Sequence, residues 1–322
     1  MLSSIPAPPF NAIGPFRLYG LLIALGVLAA VWLAQRRYRE AGGDPEVIAN
    51  LAFVAVPAGL IGARIYHVIT DWSKYSSADT WTNMFKIWEG GLGIPGGIIG
   101  GFVAGYVYVR VKGLDVVVLL DVAAPCIPLA QAIGRWGNYF NQELFGRPTS
   151  LPWGLEVDDS YRPMRYMTET TFHPTFLYES LWNLGVVAVV IYLGSRKRLR
   201  AGKLFPIYVA GYFLGRMWVE EMRSDPAAML GGLRWNFVFA GVMVLSAGAW
   251  LVWQGPMRRP GDREPLKLIP GSPGTLPATG EPLADDGVGE AGPQLEGPVA
   301  EVPPAEPDQA ESEVGVDPQE GA

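Results

Sequence analysis

The chain has a single cysteine, Cys126, among its 322 residues. No disulfide can form within it, whichever compartment its loops face. Cys126 lies between Pro125 and Pro128 in an apolar run, where packing accounts for it and nothing nearby would lower its pKa toward that of a nucleophile. Charge is scarce as well. Asp, Glu, Lys and Arg make up 17% of the residues, and long stretches hold almost none, which excludes an ordinary soluble domain. There is no internal repeat. No basic stretch precedes the first apolar run; Arg17 abuts it and a basic stop follows. That run is therefore expected to be a retained span rather than a cleaved signal peptide.

What the chain does have is apolar runs of about 20 residues, the length that crosses a hydrocarbon core of about 30 Å. Seven are legible: 18–35, 47–70, 91–109, 115–134, 175–194, 204–222 and 235–253. They predict an all-α integral membrane protein with seven transmembrane helices. The third is rich in glycine, so backbones are expected to approach closely there. The fourth holds Pro125 and Pro128 and is expected to be kinked or broken.

Lys and Arg set the orientation. Arg36, Arg37 and Arg39 follow the first run, and Arg110 and Lys112 the third. Arg196, Lys197, Arg198, Arg200 and Lys203 follow the fifth, and Arg258 and Arg259 the seventh. Every second connection is basic, hence cytoplasmic, with the N-terminus outside and the C-terminus inside. Residues 1–256 read as the transmembrane domain. Residues 257–322 read as a disordered cytoplasmic tail rich in Pro, Gly, Ala and Glu. From 261 onward the tail holds 14 Asp and Glu against 2 Lys and Arg. It carries −12 of a whole-chain charge of −6, so the first 260 residues carry +6.

With that orientation, polar residues gather at one depth. Tyr19 begins the first span at its outer end. Arg64, Tyr66 and His67 lie in the last third of the second. Arg135, Asn138 and Asn141 end the fourth, and His173, Tyr178 and Glu179 begin the fifth. Tyr212, Arg216, Glu220 and Arg223 occupy the outer part of the sixth, within an arc of roughly 80° at helical spacing. Polar groups beside hydrocarbon are costly and mark sites. Arginine holds phosphate through a planar fork of donors, and the phosphate native to that depth is a phospholipid head group. Asp121, in the inner half of the fourth span, has no place in this pattern. The connection 135–174 is long enough to form a small extracytoplasmic head over the site.

Residues 134–146, Gly-Arg-Trp-Gly-Asn-Tyr-Phe-Asn-Gln-Glu-Leu-Phe-Gly, resemble the signature of the bacterial prolipoprotein diacylglyceryl transferases. Further matching pieces follow the same order: Gly14-Pro15 with Tyr19-Gly20, Gly62-Ala63-Arg64, Trp88-Glu89-Gly90-Gly91, and Ala124-Pro125 with Pro128-Leu129. His173-Pro174-Thr175 with Tyr178-Glu179, then Tyr212, Arg216, Glu220 and Arg223, complete them. The resemblance covers roughly residues 10–254 and leaves out the tail. It implies transfer of a diacylglyceryl group from phosphatidylglycerol to the lipobox cysteine of a preprolipoprotein signal peptide, with release of glycerol phosphate. It further implies a multi-pass protein of the bacterial plasma membrane that needs no metal or other cofactor and no nucleic acid.

By the same resemblance Arg135 and Arg216 are the essential arginines and Glu143 is a further catalytic candidate; His173 is a catalytic candidate as a base near the site. Tyr19, Arg64, Gly96, Gly97, Asn138, Asn141, Gly146, Tyr178, Glu179, Tyr212, Glu220 and Arg223 are substrate-binding candidates. One position departs from the pattern. Many members carry a histidine, proposed as the thiol base, where this chain has Pro95. The remaining bases are His67, His173, Glu143 and Glu179. An anion or lipid transporter built on the same arginines is the alternative reading. The outer-leaflet position of the polar groups and the lack of a repeat argue against it.

Overall fold

The computed structural model describes residues 4–14, 16–76, 81–86, 90–196, 199–225, 227–255, 263–264 and 266–276. All of them belong to one compact unit, Met1–Gly280. The expectations for Pro15, Trp88, Glu89, Lys197, Arg198, Arg258, Arg259 and the tail from 277 onward lie outside the described residues.

Among the described residues, seven long helices make up the fold: α1 (Leu18–Glu40), α2 (Pro45–Thr70), α3 (Ile94–Val111), α4 (Val116–Phe140), α5 (Thr175–Ser195), α6 (Leu204–Met222) and α7 (Trp235–Trp253). Six of them are long and apolar enough to cross a membrane; α6, which carries Arg216, Glu220 and Glu221, is not among these. Their outer faces keep large apolar side chains exposed, among them Leu28, Phe53, Phe102 and Leu245. Helices apolar on the face turned away from the protein suit lipid, not water. The chain is an all-α membrane protein.

The helices pack in pairs, α2 on α3, α1 on α4, α4 on α5, and α6 on α7. The α2–α3 pairing explains the glycines of the third apolar run. A methyl group on Gly62 would collide with the carbonyl oxygen of Gly96, and one on Gly96 with that of Gly62. The two backbones meet with no side chain between them, as small residues allow in membranes.

Of the two forms expected of α4, kinked or broken, the break is absent. The helix runs unbroken through Pro125 and Pro128, both buried, and continues to Phe140. Packing against α1, α5 and α6 holds it together where two backbone hydrogen bonds are missing. The signature segment is therefore helical through Phe140, and the head connection starts at Asn141 rather than at 135.

Caps fix the helix starts. Asp44 accepts from the N–H of Glu46 at α2, and Asp115 accepts from Val117 and Val118 at α4. α6 begins after Lys203, which offers no side-chain cap. Asp121 supplies it from across the bundle. Its Oδ2 accepts from Gly202 N–H at 2.6 Å and its Oδ1 from Leu204 N–H at 3.0 Å. The carboxylate that had no place in the polar pattern is the α6 cap.

Two small layers cover the ends of the bundle. At one end, β1 (Ala12–Ile13) pairs with β2 (Phe16–Arg17), β3 (Leu155–Glu156) with β4 (Thr171–Phe172), and β5 (Met229–Leu230) with β6 (Leu233–Arg234), all antiparallel. The β3–β4 head has its own core of Phe145, Leu155, Val157, Phe172 and Phe176. The N-terminal segment is sewn to it: Ile5 N–H donates to Gly154 O, and Glu156 N–H donates to Ile5 O.

At the other end, residues assigned from sequence to the tail return to the bundle. Leu268 is buried in the cluster of Tyr38, Ile48 and Val118, and its N–H donates to Ala41 O. Asp44 N–H donates to Gly274 O, and Arg263 pairs with Asp115. This strap joins the connections that follow α1, α3 and α5.

Candidate active site

The site is built where α4 ends, α5 begins and α6 ends. Arg135 lies in the last two turns of α4. Glu179 lies one turn into α5, and Arg216 and Glu220 are one turn apart near the end of α6. Their side chains meet. Glu179 Oε2 stands 2.6 Å from Arg135 NH2, and Glu179 Oε1 stands 3.3 Å from Arg216 NH1. Arg216 NH2 lies 2.6 Å from Glu220 Oε2. Glu179 and Glu220 are 6% and 0% exposed, whereas Arg135 and Arg216 keep 18% and 13%. The carboxylates form the floor and the guanidiniums face the opening.

Each guanidinium carries five N–H groups. Arg216 commits one each to Glu179 and Glu220. Arg135 commits one to Glu179 and one to Asn138 Oδ1 at 3.3 Å. Three donors remain on each for an anion. Asn138 passes the line onward, donating to Glu143 Oε1 at 2.9 Å, and Asn141 donates to the same oxygen at 3.3 Å. Tyr19 closes this side. A methyl group on Gly137 would lie 2.6 Å from Tyr19 Cδ2, so only glycine lets α1 approach here. Tyr212 and Arg216 line a small void together with Glu179.

The backbone after α4 is shaped for this arrangement. Gln142 and Leu144 have φ of 49° and 60°, a left-handed region that costs side-chain-bearing residues about 1–3 kcal/mol. Tertiary bonds hold them there. Gln142 exchanges two hydrogen bonds with Asp158, and Leu144 O accepts from Thr175 Oγ1 at 2.5 Å. Gly146 N–H donates to His173 O, and Gly146 forms an antiparallel bridge to Arg223. A methyl group on Gly146 would stand 2.7 Å from His173 Cβ. The signature segment thus fastens the entry of α5 to the exit of α6.

Other sequence-derived candidates lie elsewhere. All three nitrogens of Arg64 donate to backbone carbonyls of the α2–α3 connection: Asn83, Met84, Gly90 and Gly91. Arg64 is a loop anchor, separate from the arginine–carboxylate cluster. Gly96 and Gly97 face the α2 backbone, as their lack of a side chain requires. His173 and Tyr178 form a shoulder of the head. Tyr178 Oη accepts from Trp153 Nε1 at 3.0 Å and lies 3.4 Å from His173 Nδ1. Burial lowers the pKa of His173, so its ring is neutral at pH 7.

Three residues of the cluster escaped the sequence reading. Arg234 Nε donates to Glu220 Oε1 at 2.7 Å, and Asn236 Nδ2 donates to the same oxygen at 3.2 Å. Asp225 pairs with Arg223 at 2.6 Å and with Arg234 at 3.3 Å. Burial opposes ionisation of Asp225, but Arg223 and Arg234 outweigh it and hold its carboxyl below the usual range. Arg234 abuts the seventh apolar run at the same depth as the other polar residues; that position was its signal.

A family model described as prolipoprotein diacylglyceryl transferase matches residues 9–253. The chain is 46% identical over 268 residues to the phosphatidylglycerol–prolipoprotein diacylglyceryl transferase of Streptomyces griseus, covering 82% of this chain and 81% of that one. It is 48% identical over 254 residues to the protein of that name in Cutibacterium acnes, covering 77% and 85%. The Corynebacterium glutamicum protein of that name is 45% identical over 268 residues, covering 78% and 84%. The matched span begins ahead of Tyr19 and ends with α7, so it holds every residue of the arginine–carboxylate cluster, and the chain belongs to the prolipoprotein diacylglyceryl transferase family.

Proposed function

We propose that this protein transfers the diacylglyceryl group of phosphatidylglycerol to the thiol of a lipobox cysteine in a preprolipoprotein. The observation that carries this reading is the sharing of Glu179 by Arg135 and Arg216. Two guanidiniums from different helices are held side by side, each with donors to spare. The sulfur attacks the glycerol carbon next to the phosphate oxygen. A C–S bond forms, the C–O bond breaks, and the electron pair leaves with glycerol phosphate. Arg135 and Arg216 bind the phosphate, and their fixed donors stabilise the charge that develops on the departing oxygen. The same positive field favours thiolate in the incoming cysteine.

Asn138, Asn141, Glu143 and Tyr19 form the side of the site against α1, and Glu143 or neutral His173 accepts the thiol proton. Glu179 and Glu220 hold the arginines, Tyr212 lines the void beside Arg216 and Arg223 pairs with Asp225, and Tyr178 and Gly146 shape the head above them. All seven helices span the bacterial plasma membrane, with the N-terminus and the 141–174 head outside. The strap and the acidic segment from 277 lie in the cytoplasm. Basic connections after α1, α3 and α5 support this orientation.

Purified protein in detergent, supplied with phosphatidylglycerol and a lipobox peptide, is expected to release glycerol phosphate while the peptide gains a diacylglyceryl mass. Peptide left unmodified by folded protein would refute the reading. Reporter fusions at Tyr161 and Gly202 are expected to read outside and inside, respectively.

A further inference from the structure

Glu220 is fully buried and receives two cations, one on each oxygen. Arg216 approaches Oε2 at 2.6 Å and Arg234 approaches Oε1 at 2.7 Å. Arg234 reaches this place through its own architecture. The turn at Gly231 and Gly232, with φ of 57° and 83°, closes the β5–β6 hairpin. That hairpin pairs Arg234 with Met229 and delivers it as the residue just before α7. Its other two nitrogens then hold the segment after α6, NH1 donating to Asp225 O at 2.9 Å and NH2 to Asp225 Oδ2 at 3.3 Å. Held from both sides, the Arg234 guanidinium has little freedom to leave Glu220.

We propose that Arg234 is a positioning residue that holds one oxygen of Glu220 and so restricts Arg216 to the other. Arginine and carboxylate tend toward a two-point fork. A Glu220 free at Oε1 would close that fork on Arg216 and draw it toward the floor of the site. With Arg234 in place, Glu220 holds Arg216 at one point, and three N–H groups of Arg216 stay available to phosphate. Asn236, donating to Oε1 at 3.2 Å, supports the same division without a charge. The inference rests on the reading of Arg216 as a phosphate ligand.

The test is a kinetic split between the two substrates in Arg234→Gln. The KM for phosphatidylglycerol is expected to rise at least tenfold, while the KM for the lipobox peptide stays within threefold. Arg234→Lys, which keeps a charge for Glu220 but lacks the further nitrogens that hold Asp225, is expected to fall between the parent and Arg234→Gln. A merely structural role would move both KM values together, or would lower activity only in proportion to folded enzyme. Either of those results, or a phosphatidylglycerol KM unchanged within threefold, would overturn the proposal. If Arg234→Gln does not accumulate in the membrane, Arg234→Lys decides. A rise of at least threefold in the lipid KM alone supports the proposal, and no selective rise refutes it. A parent enzyme that turns over neither substrate would instead refute the transferase reading.

Discussion

Asp121 on α4 hydrogen-bonds the backbone N–H of Leu204 at the first residue of α6, 83 positions later in the chain. The carboxylate also accepts from Gly202 and Phe205, so one side chain meets three donors at a buried helix start. Asp121→Ala leaves those donors unpaired. A lost cap typically costs about 0.5–2 kcal/mol, and burial puts this one toward the upper end. The melting temperature in detergent is expected to fall, with Asp121→Asn retaining part of the loss. An unchanged melting curve in Asp121→Ala would contradict this account.

Arg135→Ala and Arg216→Ala are expected to lower turnover by about 10²–10³ or more, the usual scale for removing a donor from a developing oxyanion. Arg216→Lys is expected to be poor as well, because an ammonium cannot reach Glu179 and Glu220 while presenting a planar face to phosphate. The check is glycerol phosphate release by protein shown to be folded in the membrane. Near-parental rates in Arg216→Ala would reduce that residue to a pairing role.

His173→Gln is expected to remain active, within about tenfold of the parent, a barrier change near 1.4 kcal/mol. The histidine bonds Tyr178, and its backbone, unaffected by the substitution, makes the contacts to Gly146 and Arg147. A folded His173→Gln protein that binds phosphatidylglycerol yet turns over none would identify His173 as the thiol base.

Truncation separates the strap from the acidic segment. A chain ending after Leu276 is expected to keep parental stability and activity, whereas one ending after Gly255 loses Leu268 from the core and Arg263 from Asp115. Burial alone would raise the Asp115 carboxyl, but Arg263 and the N–H groups of Val118 and Val117 outweigh it and hold it below the usual range. A depressed carboxylate adds stability above its unfolded pKa, near 4, and that stability disappears as pH falls through the folded value. The shorter chain should therefore melt earlier at pH 7 and show a smaller further loss on acidification. Equal melting of the two chains at pH 7 would contradict a structural role for the strap.

The helices were legible because apolar run length is a local property. α6 and α7 match their expected bounds, and α1 and α4 extend beyond theirs because basic or polar residues continue the helix past the apolar run. Arg135, Glu179 and Arg216 were legible for a related reason, each being charged where its neighbours are not, and Glu220 by its place one turn from Arg216. What could not be read was partnership. Arg64 and Arg216 look alike in sequence, yet one meets four backbone carbonyls and the other two carboxylates. Asp121 and Arg234 act across gaps that only the folded bundle closes. The strap has no periodicity to betray it, since its apolar contact is concentrated in Leu266 and Leu268.

The seam between the N-terminal segment and the head sets an order of events during synthesis. Ser4 and Glu156, which hydrogen-bond each other, are 152 positions apart. At ribosomal speeds of about 5–20 residues per second, the segment holding Ser4 and Ile5 waits on the order of ten seconds before its partner exists. Four helices, α1 to α4, are made in that interval. Completion of the head thus comes after α4, and the arginine–carboxylate cluster, whose α5 and α6 walls come later still, closes after it.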